Sequence, residues 1–183
     1  SQNCGTVLTY RAAKCNIIMN PGSSPGLRNP RSSLKEVYVM GRIRQAIVGY
    51  GGMGSWHAAS VSEKVKQIEV YGVYDIRPEA MESAKAKGLR AYGSLQELLA
   101  DESVNLVTIA VPNNFHKDIA IAALRAGKNV VCEKPVTLNS RELEQIIAVR
   151  DETGRLFSIH QNRRWDRDYR IVKAARDQGL LGK

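Results

Sequence analysis

The sequence has no long hydrophobic run and no regular spacing of cysteines. None of its apolar stretches approaches the roughly 18 residues that a membrane span needs, and Arg11 and Lys14 interrupt the segment where a secretion signal would be apolar. The cysteines, Cys4, Cys15 and Cys132, show no C-x-x-C spacing. We therefore expect a soluble protein of a reducing, cytoplasmic compartment, with no membrane contact and with Cys132 as a small buried apolar residue.

The basic charge of the chain is not accompanied by a nucleic-acid-binding motif. The formal net charge is +9, yet no helix-turn-helix, zinc-finger or RNP pattern is present. In the densest basic segment, residues 162–176, acids interleave with the bases. We therefore expect no nucleic-acid partner and no metal site, and the bases fit a solvated surface or a contact with an anionic cofactor.

The first 39 residues differ in composition from the rest. Residues 20–34 are rich in Pro, Gly, Ser and Asn and lack apolar periodicity. This composition predicts a flexible leader, or one added for expression, over residues 1–39, and Met40 is then a candidate natural start. A targeting peptide is the alternative, because the stretch carries bases and serines with only Glu36 as an acid, although it has no clear amphipathic helix.

From residue 42 onward, short β-rich runs alternate with helix-length stretches. Strands are predicted at 43–49, 68–75, 104–111, 129–134 and 156–161. This alternation is typical of a parallel sheet covered by helices on both faces. With 43% hydrophobic residues the chain can bury a sizeable core. The sequence thus predicts an α/β fold with a doubly wound parallel sheet.

Capping residues predict where several helices begin and end. Ser94 and Glu97 form an S-x-x-E capping box, and Asn139 precedes another helical stretch. Gly127 and Gly154 are predicted to end helices, because glycine adopts the left-handed conformation that often follows a helix.

A glycine motif lies where the first predicted strand meets a helix. Gly49, Gly51 and Gly54 form G-x-G-x-x-G, in which the glycines permit a tight turn, close approach to a pyrophosphate and close packing of helix on strand. We predict that this loop, with Gly52 and Met53, binds dinucleotide phosphates at the helix amino terminus. A glycine-rich structural turn is the alternative, and S-adenosylmethionine enzymes share the arrangement loosely.

An acid ends the next predicted strand, about 20 residues further on. Asp75 stands where a carboxylate would accept hydrogen bonds from the adenosine ribose, which favours NAD over NADP because a carboxylate repels a 2′-phosphate. Arg77 is also expected at the cofactor, either stacked on adenine or, with Asp75 turned away, paired with a phosphate.

Polar residues also follow the third predicted strand. Pro112 closes it, Asn113 and Asn114 come next, and His116 opens a helix. The carboxyl ends of parallel strands face the ligand crevice, so Pro112, Asn113 and His116 are predicted near the cofactor. His116 could transfer a proton, but a histidine near a helix start is more often structural.

Two opposite charges, Glu133 and Lys134, follow a buried strand directly and precede Pro135. Buried charges are costly unless they are paired or functional, and this position predicts that all three residues border the cofactor. An ammonium in a cleft of low dielectric stabilises alkoxide character as hydride leaves a carbinol carbon, which makes Lys134 the candidate catalytic residue. Glu133 is expected to orient Lys134 or the cofactor ribose, and Pro135 to fix the turn. A surface ion pair is the alternative.

Together these motifs resemble the Gfo/Idh/MocA oxidoreductases. The matching segments are G-x-G-x-x-G at 49–54, Asp75, P-N-x-x-H at 112–116, E-K-P at 133–135 and N-R-R-aromatic-D at 162–166. The resemblance runs from about residue 42 to the end of the sequence. It implies a Rossmann fold that binds NAD, the preferred cofactor, or NADP.

The resemblance also implies an activity and a division into domains. Hydride would pass between nicotinamide and a carbinol carbon of a sugar, polyol or related hydroxy compound, with Lys134 near both. Residues 40–162 would form the NAD(P)-binding domain and 163–183 the helical start of a substrate domain whose remainder this sequence lacks. Full-length relatives are expected to be homo-oligomers. The residues expected to bind the small-molecule substrate are Asn162, Arg163, Arg164 and Trp165.

The missing domain separates two hypotheses for this chain. Hydride transfer needs a substrate held close to the nicotinamide with water excluded, so we expect the chain alone to bind dinucleotide without turnover. The alternative to a dehydrogenase is a non-catalytic dinucleotide-binding module.

Overall fold

The computed structural model describes residues 16–17 and 42–182. The strands are β1 (Asn16–Ile17), β2 (Ile43–Val48), β3 (Ile68–Tyr74), β4 (Arg90–Ala91), β5 (Leu106–Ile109), β6 (Asn129–Cys132) and β7 (Phe157–Ile159). The α-helices are α1 (Gly52–Lys64), α2 (Pro78–Ala86), α3 (Leu95–Ala100), α4 (His116–Arg125), α5 (Ser140–Thr153) and α6 (Arg167–Asp177). Short 3-10 helices cover Asn113–Phe115 and Asn162–Trp165.

The strands form one sheet in the order β1-β7-β6-β5-β2-β3-β4. Every neighbouring pair is parallel except β1 and β7, which are antiparallel. The six parallel strands follow the 3-2-1-4-5-6 order of the Rossmann fold, with the order reversing at β2. The predicted fold class is therefore confirmed. Ligands bind such sheets in the crevice at the carboxyl ends of the strands near this reversal.

Both faces of the sheet are covered because alternate strand residues point to opposite sides. In β2, Ala46 and Val48 belong to the larger apolar cluster, whereas Ile47 belongs to the smaller one. The larger cluster packs β5, β6 and β7 against α4 and α5, and the smaller packs β2 and β3 against α1 and α2.

The five predicted strands are all present, each one to four residues shorter than predicted. The prediction missed β1, which lies in the predicted leader, and β4, because Arg90–Ala91 is only two residues long and has no apolar run. Burial confirms Cys132 as an apolar core residue, and this burial, with the neighbouring charge of Glu133, raises the pKa of its thiol to about 12.

The predicted helix ends are also confirmed. Ser94 Oγ accepts from the backbone N–H of Glu97 at 3.0 Å, and Asn139 Oδ1 accepts from that of Glu142 at 3.0 Å. Gly127 and Gly154 follow α4 and α5 with φ of +77° and +64°, a conformation that glycine adopts without strain.

At the amino-terminal end, Asn16–Ile17 pairs with β7 along the edge of the sheet. The rest of the predicted leader, with Met40, Cys4 and Cys15, lies outside the described residues. In the ranges 16–17 and 42–182, no helix is both long and apolar enough to cross a membrane.

The carboxyl-terminal segment packs little against the sheet. Helix α6 has no buried residue, and Ile171 and Val172 are each more than half exposed. The assignment of 163–183 to a substrate domain stays a prediction.

Candidate functional site

The residues predicted to border the cofactor lie along one edge of the sheet. The glycine loop follows β2, Asp75 follows β3, Pro112 comes after β5, and Glu133 follows β6 directly. Because these strands are neighbours and parallel, their carboxyl ends form one continuous rim. The four motifs that follow these strands therefore belong to a single crevice.

The glycine loop packs so closely that two of its positions exclude a side chain. A Cβ at Gly54 would lie 1.9 Å from the carbonyl oxygen of Gly49, and a Cβ at Gly49 would lie 2.5 Å from that of Ala110. Gly49 also has a φ of +91°. These contacts bring the start of α1 directly over the end of β2.

The amino terminus of α1 is open to an anion. Gly51 is its N-cap residue and provides no side-chain acceptor, and the first turn contains no acid. The first backbone N–H groups of a helix lack partners within it, and the helix dipole favours negative charge there. A Cβ at Gly52 would meet nothing within 4 Å. This glycine-lined cradle fits a dinucleotide pyrophosphate.

Asp75 anchors the glycine loop to the end of β3. Its carboxylate, only 7% exposed, accepts from the backbone N–H of Tyr50 at 2.7 Å and from that of Arg77 at 2.9 Å. Burial opposes ionisation of this carboxyl, but the hydrogen bonds from Arg77 and Tyr50 outweigh it, so its pKa lies below the ordinary value.

Arg77 occupies the remaining acceptor sites of Asp75. Its Nε lies 3.0 Å from Oδ1 and its Nη2 lies 3.1 Å from Oδ2. A carboxylate offers about four acceptor sites, so a ribose hydroxyl reaches Asp75 only if Arg77 moves. In this structure the half-exposed guanidinium of Arg77 pairs with Asp75. Its contact with adenine or a phosphate stays a prediction.

His116 lies buried under the crevice and bridges the loops that follow β5 and β6. Its ring is 1% exposed, with Nδ1 3.0 Å from the carbonyl oxygen of Pro135 and Nε2 2.9 Å from that of Val111. A neutral ring donates to one of these carbonyls, and an imidazolium donates to both. In this conformation neither nitrogen is available to a cofactor, so His116 holds the loops after β5 and β6 together. Pro112 and Asn113 are exposed at the mouth of the crevice.

Glu133 and Lys134 have different environments although they are adjacent. The Glu133 side chain is 7% exposed, and its Oε2 accepts from the backbone N–H of Lys134 at 3.1 Å. The Lys134 side chain is exposed, and its ammonium makes no hydrogen bond or ion pair within residues 42–182. The Lys134–Pro135 peptide bond is cis. The alternative prediction, a surface ion pair, is therefore not found among the described residues, and the Lys134 ammonium is free there to meet a ligand.

Two histidines complete the environment of Glu133. Its Oε1 lies 2.8 Å from His57 Nε2 and 2.9 Å from His160 Nδ1. Burial opposes ionisation of Glu133, but these two hydrogen bonds and the one from the Lys134 N–H hold its pKa well below the ordinary value. The sequence reasoning missed His57. Its position on the buried face of α1, three residues after Gly54, was the available signal.

The predicted substrate residues lie on a separate, exposed stretch. Asn162–Trp165 forms a 3-10 helix beside an open groove of about 460 Å³, to which Arg163, Arg164 and Tyr169 contribute. Arg163 pairs with Asp166 at 2.9 Å. Substrate binding by Asn162, Arg163, Arg164 and Trp165 stays a prediction.

Comparison with known proteins shows which family the chain belongs to. Residues 43–161 match the sequence model of GFO_IDH_MocA, described as an oxidoreductase family with an NAD-binding Rossmann fold. The chain belongs to this family. The predicted resemblance is thereby confirmed, and the fold that carries the crevice is an NAD-binding one.

Relatives in the family include enzymes and solved structures. The chain is 33% identical over 145 residues to inositol 2-dehydrogenase of Salmonella typhimurium, covering 77% of this chain and 43% of that protein. It is 48% identical in sequence to an NAD-binding protein from Listeria innocua whose crystal structure is known. The two structures superpose with a TM-score of 0.73 over 78% of this chain and 42% of the other. The WlbA dehydrogenase of Bordetella pertussis, solved with NADH and UDP-GlcNAcA, is 29% identical, with a TM-score of 0.73 and coverage of 78% and 44%. The chain spans about two fifths of the length of the curated relatives it matches.

We expect Gly54→Ala to reduce both stability and NADH affinity, because its Cβ would collide with a backbone carbonyl that cannot yield without separating α1 from β2. Gly52→Ala is the matched control for stability alone, since its Cβ enters open space but Gly52 also lines the predicted phosphate cradle. Thermal melting of both variants measures the difference, which we expect to be about 2 kcal/mol or more in unfolding free energy, and NADH titration of Gly54→Ala measures the loss of affinity. Equal stability of the two variants would contradict the described packing.

We expect Glu133→Gln to lower the unfolding free energy by about 3 kcal/mol at pH 7, because it removes a buried, hydrogen-bonded charge. A carboxyl whose folded pKa is lowered stabilises the fold above its unfolded pKa, and that contribution is lost as the pH falls. The difference between wild type and variant should therefore shrink below about pH 4.5, the ordinary glutamate value. Denaturant unfolding from pH 7 to pH 3 tests this, with exposed Glu144→Gln as control. A difference that does not depend on pH would rule out the ionised carboxylate as its source.

Proposed function

We propose that this chain forms the dinucleotide-binding part of an NAD(P)-dependent dehydrogenase that acts on a carbinol carbon of an inositol, sugar or related polyol. The observation that carries the proposal is the glycine-lined cradle at the uncapped start of α1. It lies on the same rim as the Lys134 ammonium, which has no partner among the described residues. Relatives named inositol 2-dehydrogenase and a related structure holding NADH and UDP-GlcNAcA support the substrate class.

Each part of the rim has a role in this proposal. The cofactor, when bound, supplies the nicotinamide that accepts or donates hydride. The amides at the start of α1 hold its phosphates, and Asp75 and Arg77 border its adenosine ribose. Lys134 donates a hydrogen bond to the substrate oxygen and stabilises negative charge that develops there as the carbinol is oxidised.

We further propose that the crevice binds NAD(H) more tightly than NADP(H), because Asp75 repels a 2′-phosphate. Arg77 weakens this discrimination, since its guanidinium neutralises the carboxylate. We expect Arg77→Ala to widen the ratio of the NADPH and NADH dissociation constants by roughly tenfold, the scale of one unscreened charge at close range. Fluorescence or calorimetric titration of both cofactors measures the ratio.

Arg125→Ala is the matched control, because this exposed arginine ends α4 at the amino-terminal ends of the strands, away from the crevice. Equal or tighter binding of NADPH by the wild type would contradict the preference and make Arg77 a phosphate ligand. Binding of S-adenosylmethionine in place of NADH would favour a methyltransferase instead.

We expect Lys134→Ala to reduce kcat by roughly 10²-fold or more, the usual scale for a lost acid–base or electrostatic group, while leaving the melting temperature nearly unchanged. The side chain is exposed and has no partner within residues 42–182, so its removal costs little stability. The measurement needs a polypeptide of the relatives' full length that contains this sequence, with Lys66→Ala as an exposed-lysine control. Near-normal turnover, or failure to fold, would remove Lys134 from the mechanism.

A non-catalytic dinucleotide-binding module is the second candidate, favoured by the open groove beside Asn162–Trp165 and by the absence of buried residues in α6. We propose that this chain alone binds dinucleotide without turnover, because nothing in its described residues encloses a substrate. A dehydrogenase assay of the isolated chain with inositols and other polyols, beside an NADH titration, separates the alternatives.

A further inference from the structure

Three segments of the crevice meet at one carboxylate. His57 comes from α1, directly behind the glycine loop; Glu133 follows β6; and His160 follows β7. Their side chains are 7%, 7% and 14% exposed. Both imidazoles reach the same oxygen of Glu133, and the Lys134 backbone N–H reaches the other. We call these three side chains the Glu133 cluster.

We propose that Glu133 is a positioning residue that locks His57 and His160 in opposite tautomers and thereby fixes Lys134 relative to the cofactor loop. A carboxylate only accepts hydrogen bonds, so each ring must present an N–H to it. His57 then carries its hydrogen on Nε2 and His160 carries its hydrogen on Nδ1. The assignment follows from the contacts alone; its consequence for the cofactor rests on the proposed function.

The alternation of strand residues explains why the cluster forms on this face. Cys132 and Ile159 point into the core beneath α4 and α5. Glu133 and His160 directly follow Cys132 and Ile159 in the sequence. They therefore point to the opposite face of the sheet, where α1 lies. His57 lies on the buried side of α1, one turn after Gly54. The backbone therefore directs the side chains of Glu133, His160 and His57 toward one another.

The ring nitrogens that face away from Glu133 have no partner in the described part of the chain that would favour the other tautomer. His57 Nδ1 and His160 Nε2 make no hydrogen bond within residues 42–182, and neither is a fully buried unpaired atom. Trp56 packs edge-on against His57 at 5.3 Å and lies 5.9 Å from His160, so it shields one side of the pair. In the described residues no other group competes with Glu133 for these rings.

The cluster connects the cofactor loop to the catalytic lysine. Asp75 ties the glycine loop to β3, whereas Glu133 ties the helix behind that loop to β6 and β7. The same carboxylate accepts from Lys134, so any shift of α1 at His57 is transmitted to the lysine backbone. An amide at position 133 can accept from the Lys134 N–H only if its NH2 group faces the two rings, and each ring must then present an unprotonated nitrogen to it. The tautomers that the carboxylate imposes would therefore be lost.

The first test is nitrogen NMR of the histidine rings in the isolated chain at pH 7.5. We expect the Nε2–H form for His57 and the Nδ1–H form for His160. In Glu133→Gln both rings should leave these wild-type forms, because an NH2 group facing them requires the reverse tautomer of each ring. Two Nε2–H rings in the wild type would overturn the proposal whether or not the chain binds NADH.

The second test distinguishes positioning from simple structural support. His57→Gln keeps an N–H donor near the Nε2 position, whereas His57→Leu removes it. We expect NADH to bind His57→Gln within about twofold of the wild type and His57→Leu about tenfold more weakly, since small displacements of positioned groups have effects of this size or greater. Exposed Glu63→Gln on α1 is the charge control.

A double-mutant cycle completes the design. If Glu133 acts through His57, combining Glu133→Gln with His57→Leu should weaken NADH binding little more than either change alone, because residues in one network are not additive. Additive losses, or equal effects of His57→Gln and His57→Leu, would overturn the proposal. If no variant weakens NADH binding while the tautomers are as assigned, the cluster does not position the cofactor loop, and that part of the proposal is wrong.

Discussion

The contact between Gly54 and the carbonyl of Gly49 is the constraint on which the crevice depends. With no side chain at either residue, α1 starts in direct contact with the end of β2. Its unpartnered N–H groups are therefore exposed at the rim, and its inner face brings His57 within reach of β6 and β7. One close backbone approach thus builds both the anion site and the Glu133 cluster.

Two buried carboxylates hold the rim in place. Asp75 and Glu133 both accept from backbone N–H groups, and both have pKa values below the ordinary range because those donors and their side-chain partners outweigh burial. Each joins segments that are distant in sequence. Neither has its charge directed to a ligand in this conformation, which leaves Lys134 as the exposed charge of the E-K-P segment.

The sequence predicted the parts of the fold whose causes are local. Alternating apolar runs predicted the five longer strands, and the side chains of Ser94 and Asn139 predicted where α3 and α5 begin. Strand β4 was missed because its pairing with β3 depends on tertiary packing, which two residues without an apolar run do not reveal. The glycine loop was predictable because Gly49 and Gly54 stand where a side chain would collide with backbone, so the motif itself indicates the close packing.

The partners of the charged side chains were less predictable, because they depend on which segments meet in space. The pairing of Arg77 with Asp75, the burial of His116 between two carbonyls and the role of His57 all require the tertiary structure. The role of Lys134 was inferred from its place after a strand. Its ammonium is exposed and has no partner in the part of the chain that the structure describes.

Amide NMR of the labelled chain during NADH addition tests the central claim most directly, because it locates the ligand without relying on turnover. The account predicts the largest shifts at the backbone N–H groups of Gly51 to Gly54, with further shifts at Arg77 and Lys134. Absence of saturable shifts, or shifts confined to the groove beside Asn162–Trp165, would contradict a dinucleotide site at the start of α1.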